Sequence, residues 1–355
     1  MRASARYAFF HARTAMLAGR LMALEQAARW VEAPPEQAEE FARQHGLERT
    51  ILTQPDALER ALVGMLLRDA MALVRPLTGA AREFYLHWMR RHEISNLKAI
   101  IRAKRGSLES SAISGQLVDI APYGTLPTAQ LLAATDLPEF LRRLELVSGY
   151  GDMARHARHV FEMQQDTFAL DAALDREFYA GLFARAEAVN GTQLRKLVGS
   201  LIDRINLVWL LRYRFVYRLP PPEAYYLLVP ANHRLGSQDL LSLARLDSFA
   251  EVLSAVPEPF HTLLAGTTTI AEATGVLRNW TWRLAESVLR HTVFDVAEGF
   301  AYLLLRDREL RRMRAIVKGR LLGISAELVH AAIGSSHRPD GGTLGASGLA
   351  KQGAR

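Results

Sequence analysis

The chain has 355 residues, 49% of them hydrophobic, and no cysteine. It can therefore bury a large core, while a disulfide framework, a thiolate nucleophile and a zinc–thiolate site are excluded. Its formal charge of +7 is spread along the sequence instead of gathered into a tract, and no zinc finger, RNP sequence or helix-turn-helix is recognisable, so neither nucleic acid nor a small-molecule substrate is expected as a partner.

From Tyr7 to Val31 the sequence is rich in Ala, Leu, Met and Arg without an internal proline, which predicts a helix that stops at Pro34-Pro35. Helices are predicted next over Pro55–Val74, Arg82–Lys104, Leu137–Leu146, Met153–Phe168, Arg176–Ala188 and Thr192–Tyr217. They continue over Ser237–Leu246, Ser248–Val256, Ile270–Leu305 with an internal break, and Asp307–Leu321. Gly106, Gly319 and Pro220-Pro221-Pro222 read as stops. Strand-like alternation is scarce, so the expected class is all-α. No apolar run approaches the roughly 18 residues of a membrane span; the longest candidate, LVGMLLRDAMALV, is broken by Arg68 and Asp69. Met1 to Arg20 lacks the apolar core and cleavage site of a secretory signal. The Gly-rich residues 336–355 lack the apolar content needed to pack and are expected to form a mobile tail.

One pattern occurs three times. Glu93, Asn96, Leu97 and Arg102 form the first copy, Asp203, Asn206, Leu207 and Arg212 the second, Glu309, Arg312, Met313 and Lys318 the third. The acids stand 110 and 106 residues apart, and a base follows each by nine residues. On a helix at about 100° per residue, Ile94, Leu97 and Ile101, then Leu207 and Leu211, then Leu310, Met313 and Val317 make one apolar stripe per copy. The acid and the position three residues later border that stripe, so Asn96 and Asn206 are expected to donate to the acid before them, and Arg312 to pair with Glu309. The base nine residues on points to the opposite side and must meet another helix or a partner. A second match supports the period: Pro122, Leu131, Leu132 and Phe140 correspond to Pro230, Leu240, Leu241 and Phe249. The expected division is 1–110, 111–218 and 219–335, with 336–355 as the tail.

Catalytic and cofactor sites are not expected. His156, His159 and Glu162, with Asp152 a turn earlier, would share a broad helix face, but Arg155 and Arg158 alternate with them as on an ordinary charged face, so no metal site is assigned. There is no phosphate loop, dinucleotide-binding fingerprint, HExxH or GxSxG elbow. The alternatives are a helical-repeat scaffold, whose repeats would usually be about 34 to 47 residues long, an enzyme with a helical active site, and a basic nucleic-acid-binding protein.

With NLKAIIRAKRG after Glu93, LDREFYAGLF from Leu174, LIDRINLVWLLRYR and the closing LLLRDRELRRMRAIVKGRLLGIS, the chain resembles the C subunits of the V/A-type rotary ATPases, the family that includes the eukaryotic d subunit. The resemblance covers roughly residues 5 to 333, and Tyr7, Ala12, Arg13 and Met16 are similar to the family's opening helix. It implies a funnel of three pseudo-threefold-related helical domains with a central socket, and no catalytic centre or cofactor. It also implies a rotor component, peripheral on the cytoplasmic face of the membrane, that joins the D and F subunits of the central shaft to the proteolipid c-ring for proton or sodium transport and meets the membrane only through the ring. Arg102, Arg212 and Lys318 are then candidates for partner contact or for bridges between neighbouring helices. Asn232-His233 stands where glycines are expected after the Pro230 turn, and Arg312 replaces a third asparagine.

Overall fold

The computed structural model describes residues 3–106, 113, 115, 117–164, 167–231 and 233–335. Asn232 and the tail 336–355 lie outside the described residues. The fold is all-α: 75% of the described residues are helical, and no strand occurs among them. Among them, no helix is long and apolar enough to cross a membrane.

In chain order the helices are α1 (Ala3–Ala18), α2 (Leu24–Glu32), α3 (Pro35–Gln44), α4 (Arg49–Leu52), α5 (Pro55–Val74), α6 (Gly79–Met89) and α7 (Arg91–Arg105). They continue as α8 (Thr128–Leu132), α9 (Leu137–Glu145), α10 (Gly151–Gln164), α11 (Thr167–Val189), α12 (Thr192–Phe215) and α13 (Pro221–Tyr226). The rest are α14 (Ser237–Ala244), α15 (Phe249–Ala255), α16 (Phe260–Leu264), α17 (Ile270–His291), α18 (Val296–Leu321) and α19 (Ala326–Ile333).

Several boundaries depart from expectation for local reasons. The helix predicted over Tyr7–Val31 is two helices, because Arg20 and Leu21 turn their N–H groups to carbonyls three residues back just after Gly19, the residue of lowest helix propensity there. α2 restarts where the Gln26 side chain reaches back to the N–H of Ala23 at 2.9 Å. The unforeseen α3 opens with Pro35 in its first turn, where a missing N–H costs nothing. Arg82–Lys104 is divided at Arg90 between α6 and α7. The break expected inside Ile270–Leu305 falls at Thr292–Asp295, where Phe294 has φ 58°; the Asp295 carboxylate then accepts the Ala297 N–H at 2.8 Å and Glu298 accepts the Asp295 N–H at 2.9 Å. From that cap α18 runs unbroken through the segment predicted as a separate helix.

The chain forms two compact units, one of Met1–Leu21 and Glu59–Glu309, the other of Met22–Leu58 and the residues from Leu310. In the first, α11 packs on α6, α7, α10 and α12, and α12 packs on α17. A close approach within it needs a glycine: a Cβ on Gly299 would stand 2.4 Å from Phe10 Cζ and 2.5 Å from the Tyr85 hydroxyl, which donates to the Val296 carbonyl at 2.7 Å. In the second, α2 packs on α19 and α3, with Trp30 buried and stacked on Phe41 and His45.

Candidate functional site

The first two motifs fold into the same junction. Ile94, Leu97 and Ile101 of α7 are buried, and that packing carries Glu93 and Asn96 inward to 2% and 4% exposure. Glu93 accepts the backbone N–H groups of Thr125 and Leu126 at 2.8 and 2.9 Å, and its other oxygen accepts the Tyr150 hydroxyl. Asn96 pairs with Val118 in both directions, donating to its carbonyl at 2.7 Å and accepting its N–H at 2.9 Å. On α12, Asp203 accepts the N–H groups of Arg234 and Leu235 at 3.3 and 3.2 Å, while Asn206 donates to the Val229 carbonyl at 3.0 Å and accepts its N–H at 2.8 Å.

These bonds replace the asparagine–acid pairing expected from the helix face. An amide has an acceptor as well as donors, and an ionised carboxylate offers nothing to that acceptor, whereas one backbone residue satisfies both. Each asparagine thus ties its helix to the chain 22 or 23 residues on, and each acid ties it to two consecutive amides 31 to 33 residues on. At about 1 kcal/mol per satisfied bond, the four bonds decide where the loop lies.

The third copy keeps part of this chemistry. Glu309, 2% exposed, accepts from Arg306 Nη1 at 2.5 Å. Arg306 Nε also reaches Asp69 at 3.0 Å, and Asp69 accepts the Tyr302 hydroxyl at 2.7 Å. Arg312 donates from Nε to the Ile333 carbonyl, 21 residues on, at 3.2 Å. An arginine can give a bond to the backbone there but cannot accept one in return.

Bridges between neighbouring helices, expected of the bases nine residues after the acids, are made to backbone carbonyls by a base eleven residues after each acid. Lys104 donates to the carbonyls of Leu132, at 2.6 Å, and Ala134. Arg214 donates to Leu219 at 2.7 Å and Leu246 at 3.2 Å. Arg320 donates to Trp30 at 2.8 Å, Val31 at 3.0 Å and Ala33. Leu132 ends α8, Leu246 lies just past α14, and Trp30 to Ala33 end α2. Each base therefore stands over the open carbonyls and negative dipole end of a short helix. The signal was present in the sequence as the spacing of eleven.

The bases nine residues after the acids behave differently. Arg102 meets Asp171 of α11 at 3.4 Å with its side chain 63% exposed, a bridge between helices of the weak surface kind. Arg212 is exposed and donates to the Tyr217 hydroxyl at 3.0 Å, close to its own helix end. Lys318 is half-buried.

The helices matched by the second sequence repeat are present with one shift of register. Leu131 and Leu240 are both buried, but Asp136 caps α9 by accepting the Glu139 N–H at 2.7 Å and Ser248 caps α15 by accepting the Glu251 N–H at 3.2 Å. The caps align Leu137, not Phe140, with Phe249, so the second copy carries three extra residues before its cap.

Burial pushes the Asp203 carboxyl up to about 7, against the pull of the Leu235 and Arg234 amides. Burial, then the neighbouring Glu93, likewise pushes the Tyr150 hydroxyl up. An open groove of about 490 Å³ lies beside the first junction, lined by Glu93, Asn96, Val118, Pro122 and Thr128 among others, but the acid and amide facing it are already bonded to backbone. His156 lies against Tyr226, Asp152 pairs with Arg155, and Arg158 pairs with Glu145 at 2.8 Å. Among the described residues no three histidine or carboxylate side chains converge as metal ligands.

The family model described as ATP synthase (C/AC39) subunit matches residues 13–332. The C subunit of the A-type ATP synthase of Haloquadratum walsbyi is 24% identical over 284 residues, 76% of this chain and 80% of the relative. That of Thermococcus kodakarensis is 25% identical over 289 residues, 79% of this chain and 75% of the relative. That of Methanocaldococcus jannaschii is 22% identical over 297 residues, 78% and 71% of the two chains.

Proposed function

The chain belongs to the ATP synthase (C/AC39) subunit family, and from that premise we propose that it is a non-catalytic subunit of the central rotor of an A-type ATP synthase. In this reading it carries torque between the D and F shaft and the proteolipid c-ring on the cytoplasmic face of the membrane, and the three repeats 1–110, 111–218 and 219–335 together form the socket for the shaft. The observation that carries it is the use made of polar side chains. In each copy the acid and the position three residues later are buried or half-buried and bonded within the fold, which stiffens the body that would carry the torque. Arg102 and Arg212, by contrast, stay at the surface, where a cation adds to partner binding through long-range attraction.

Co-expression of the tagged chain with its D, F and proteolipid partners tests this. The reading requires both shaft and ring to be recovered with the chain; recovery of neither overturns it. Arg102→Glu and Arg212→Glu, verified as folded by circular dichroism, are expected to weaken shaft binding most at low salt. Unchanged affinity at low salt removes the contact role from these residues.

A further inference from the structure

α1 lacks the polar outer face that a helix at the surface of a soluble body normally carries. Phe10, Thr14 and Leu17 turn inward and are buried. From Tyr7 to the end of the helix the exposed residues are Ala8, Phe9, Ala12, Ala15 and Met16, all apolar. Phe9 is 59% exposed and Met16 49%, so two large side chains seven residues apart stand out into solvent. α3, by comparison, exposes Glu36, Gln37 and Glu39.

The charge around this face is of one sign. The first twenty residues hold Arg2, Arg6, Arg13 and Arg20 and no Asp or Glu. Arg6, Arg13 and Arg20 recur at the seven-residue spacing of Phe9 and Met16, which keeps positions on one side of a helix. The Arg13 guanidinium lies over the Phe9 ring, its carbon 5.0 Å from the ring centre, so charge and aromatic surface stand together at the edge of the face. Glu298, which pairs with His11 at 2.5 Å, is 2% exposed and puts no negative charge outside. Phe294 packs edge-on against His11 at 4.8 Å, and its neighbour Val293 is 57% exposed.

We propose that the outer face of α1 is a membrane-contact surface: it lies on anionic lipid, with Phe9 and Met16 dipping to the acyl boundary and Arg13 and Arg20 meeting the headgroup phosphates.

Such a contact asks for apolar depth and positive charge. The face supplies both, and the row of arginines complements an anionic surface. Beside the arginines it presents Ala, Phe and Met, with no further side chain to donate or accept a hydrogen bond. It therefore carries little to fix the register of a protein partner, and a fluid lipid surface demands no register. Two inserted side chains and a few guanidiniums give weak, reversible binding, well short of an anchor. In the rotor reading the chain reaches the membrane through the ring; this contact is additional to that reading and independent of it.

Flotation of the full chain with vesicles of phosphatidylcholine, with and without phosphatidylglycerol, tests the surface. Binding is expected to the anionic vesicles and not to the neutral ones, and should weaken with added salt. Equal binding to both, or binding to neither, overturns the proposal. Arg13→Glu/Arg20→Glu should lower the partition coefficient at least about tenfold, since each guanidinium near the surface contributes about fivefold. Arg245→Glu/Arg283→Glu makes the same change of net charge at exposed positions elsewhere and should lower it by less; an equal fall overturns the assignment to α1. Phe9→Gln/Met16→Gln should also lower it at least about tenfold. Unchanged vesicle binding by that variant means that charge alone acts, and overturns the proposal; if the same variant loses its D, F or proteolipid partners on co-expression, the face is a protein contact instead. Because the chain has no cysteine, Ala12→Cys gives a single labelling site should the other variants fail to fold. A nitroxide there should become more accessible to oxygen than to a water-soluble nickel chelate when anionic vesicles are added, and unchanged accessibility overturns the proposal. Recovery of shaft and ring in detergent involves no vesicle, so failure of the rotor reading and failure of this surface are told apart.

Discussion

Arg320 Nη2 stands 2.8 Å from the carbonyl oxygen of Trp30, a residue 290 positions earlier in the chain. The same nitrogen reaches Val31 and Ala33, so one guanidinium closes the end of α2. Arg320→Ala is expected to lower stability by about 1–3 kcal/mol, the range for a charged donor removed from carbonyls that remain in place. Arg320→Lys should recover part of the loss. Arg102→Ala, which removes only an exposed ion pair, should change stability by no more than about 1 kcal/mol. Urea midpoints measured side by side check the ordering.

Asn206→Ala leaves the buried N–H and C=O of Val229 without their partner. The expected cost is about 2–4 kcal/mol, from two polar groups at about 1–3 kcal/mol each with partial relaxation. Asn206→Asp restores an acceptor but no donor and sets a second carboxyl near Asp203, so it should be no better at pH 7 and should improve on acidification. Denaturation at pH 5 and 7 separates the two variants.

Gly299→Ala and Gly275→Ala form a matched pair. The first drives a Cβ into Phe10 and Tyr85 and should cost about 1–3 kcal/mol as overpacking. The second adds a methyl group to an α17 position with nothing within 4 Å, and should be neutral or stabilising by up to about 1 kcal/mol. Calorimetric melting temperatures moving in the same direction for both would contradict the packing account.

Acid sensitivity follows from two histidines. His87 donates from Nε2 to the Phe178 carbonyl at 2.8 Å, its ring parallel to that of Phe178. Burial lowers its pKa to about 4 and that of His92 to about 3. Because both folded values lie below the unfolded value near 6.5, their contribution is complete above pH 6.5 and is lost as pH falls toward 4, by up to about 1.4 kcal/mol per unit for each. The double variant His87→Gln/His92→Gln should flatten urea-derived stability between pH 7 and 4.5.

Helical class and the positions of the motif helices were legible because both rest on local quantities, propensity and the 3.6-residue stripe. Leu97, Leu207 and Met313 are each fully buried, as the stripe requires. The hydrogen-bond partners of Asn96 and Asn206 were not legible, since Val118 and Val229 lie more than twenty residues away and nothing in their identity marks them as partners. The value of Lys104, Arg214 and Arg320 was visible as spacing, but a base near a helix end reads as an ordinary solvated charge until the carbonyls it covers are located. Gly199 carried no signal at all, for a Cβ there would stand 2.4 Å from His233 Cγ only because that ring arrives from the loop after α12.

The joining of α2 to the far end of α18 has a consequence in time. Trp30 emerges during synthesis some 290 residues before Arg320, a delay of about 15–60 s at ordinary elongation rates of about 5–20 residues per second. Through that interval α2 and α3 lack the helix end that completes their unit, and Ala27, Trp30 and Ala42, all buried in the finished fold, stay without part of their cover. A chain that ends within α17 therefore lacks both α19, on which α2 packs, and the guanidinium that closes the α2 end.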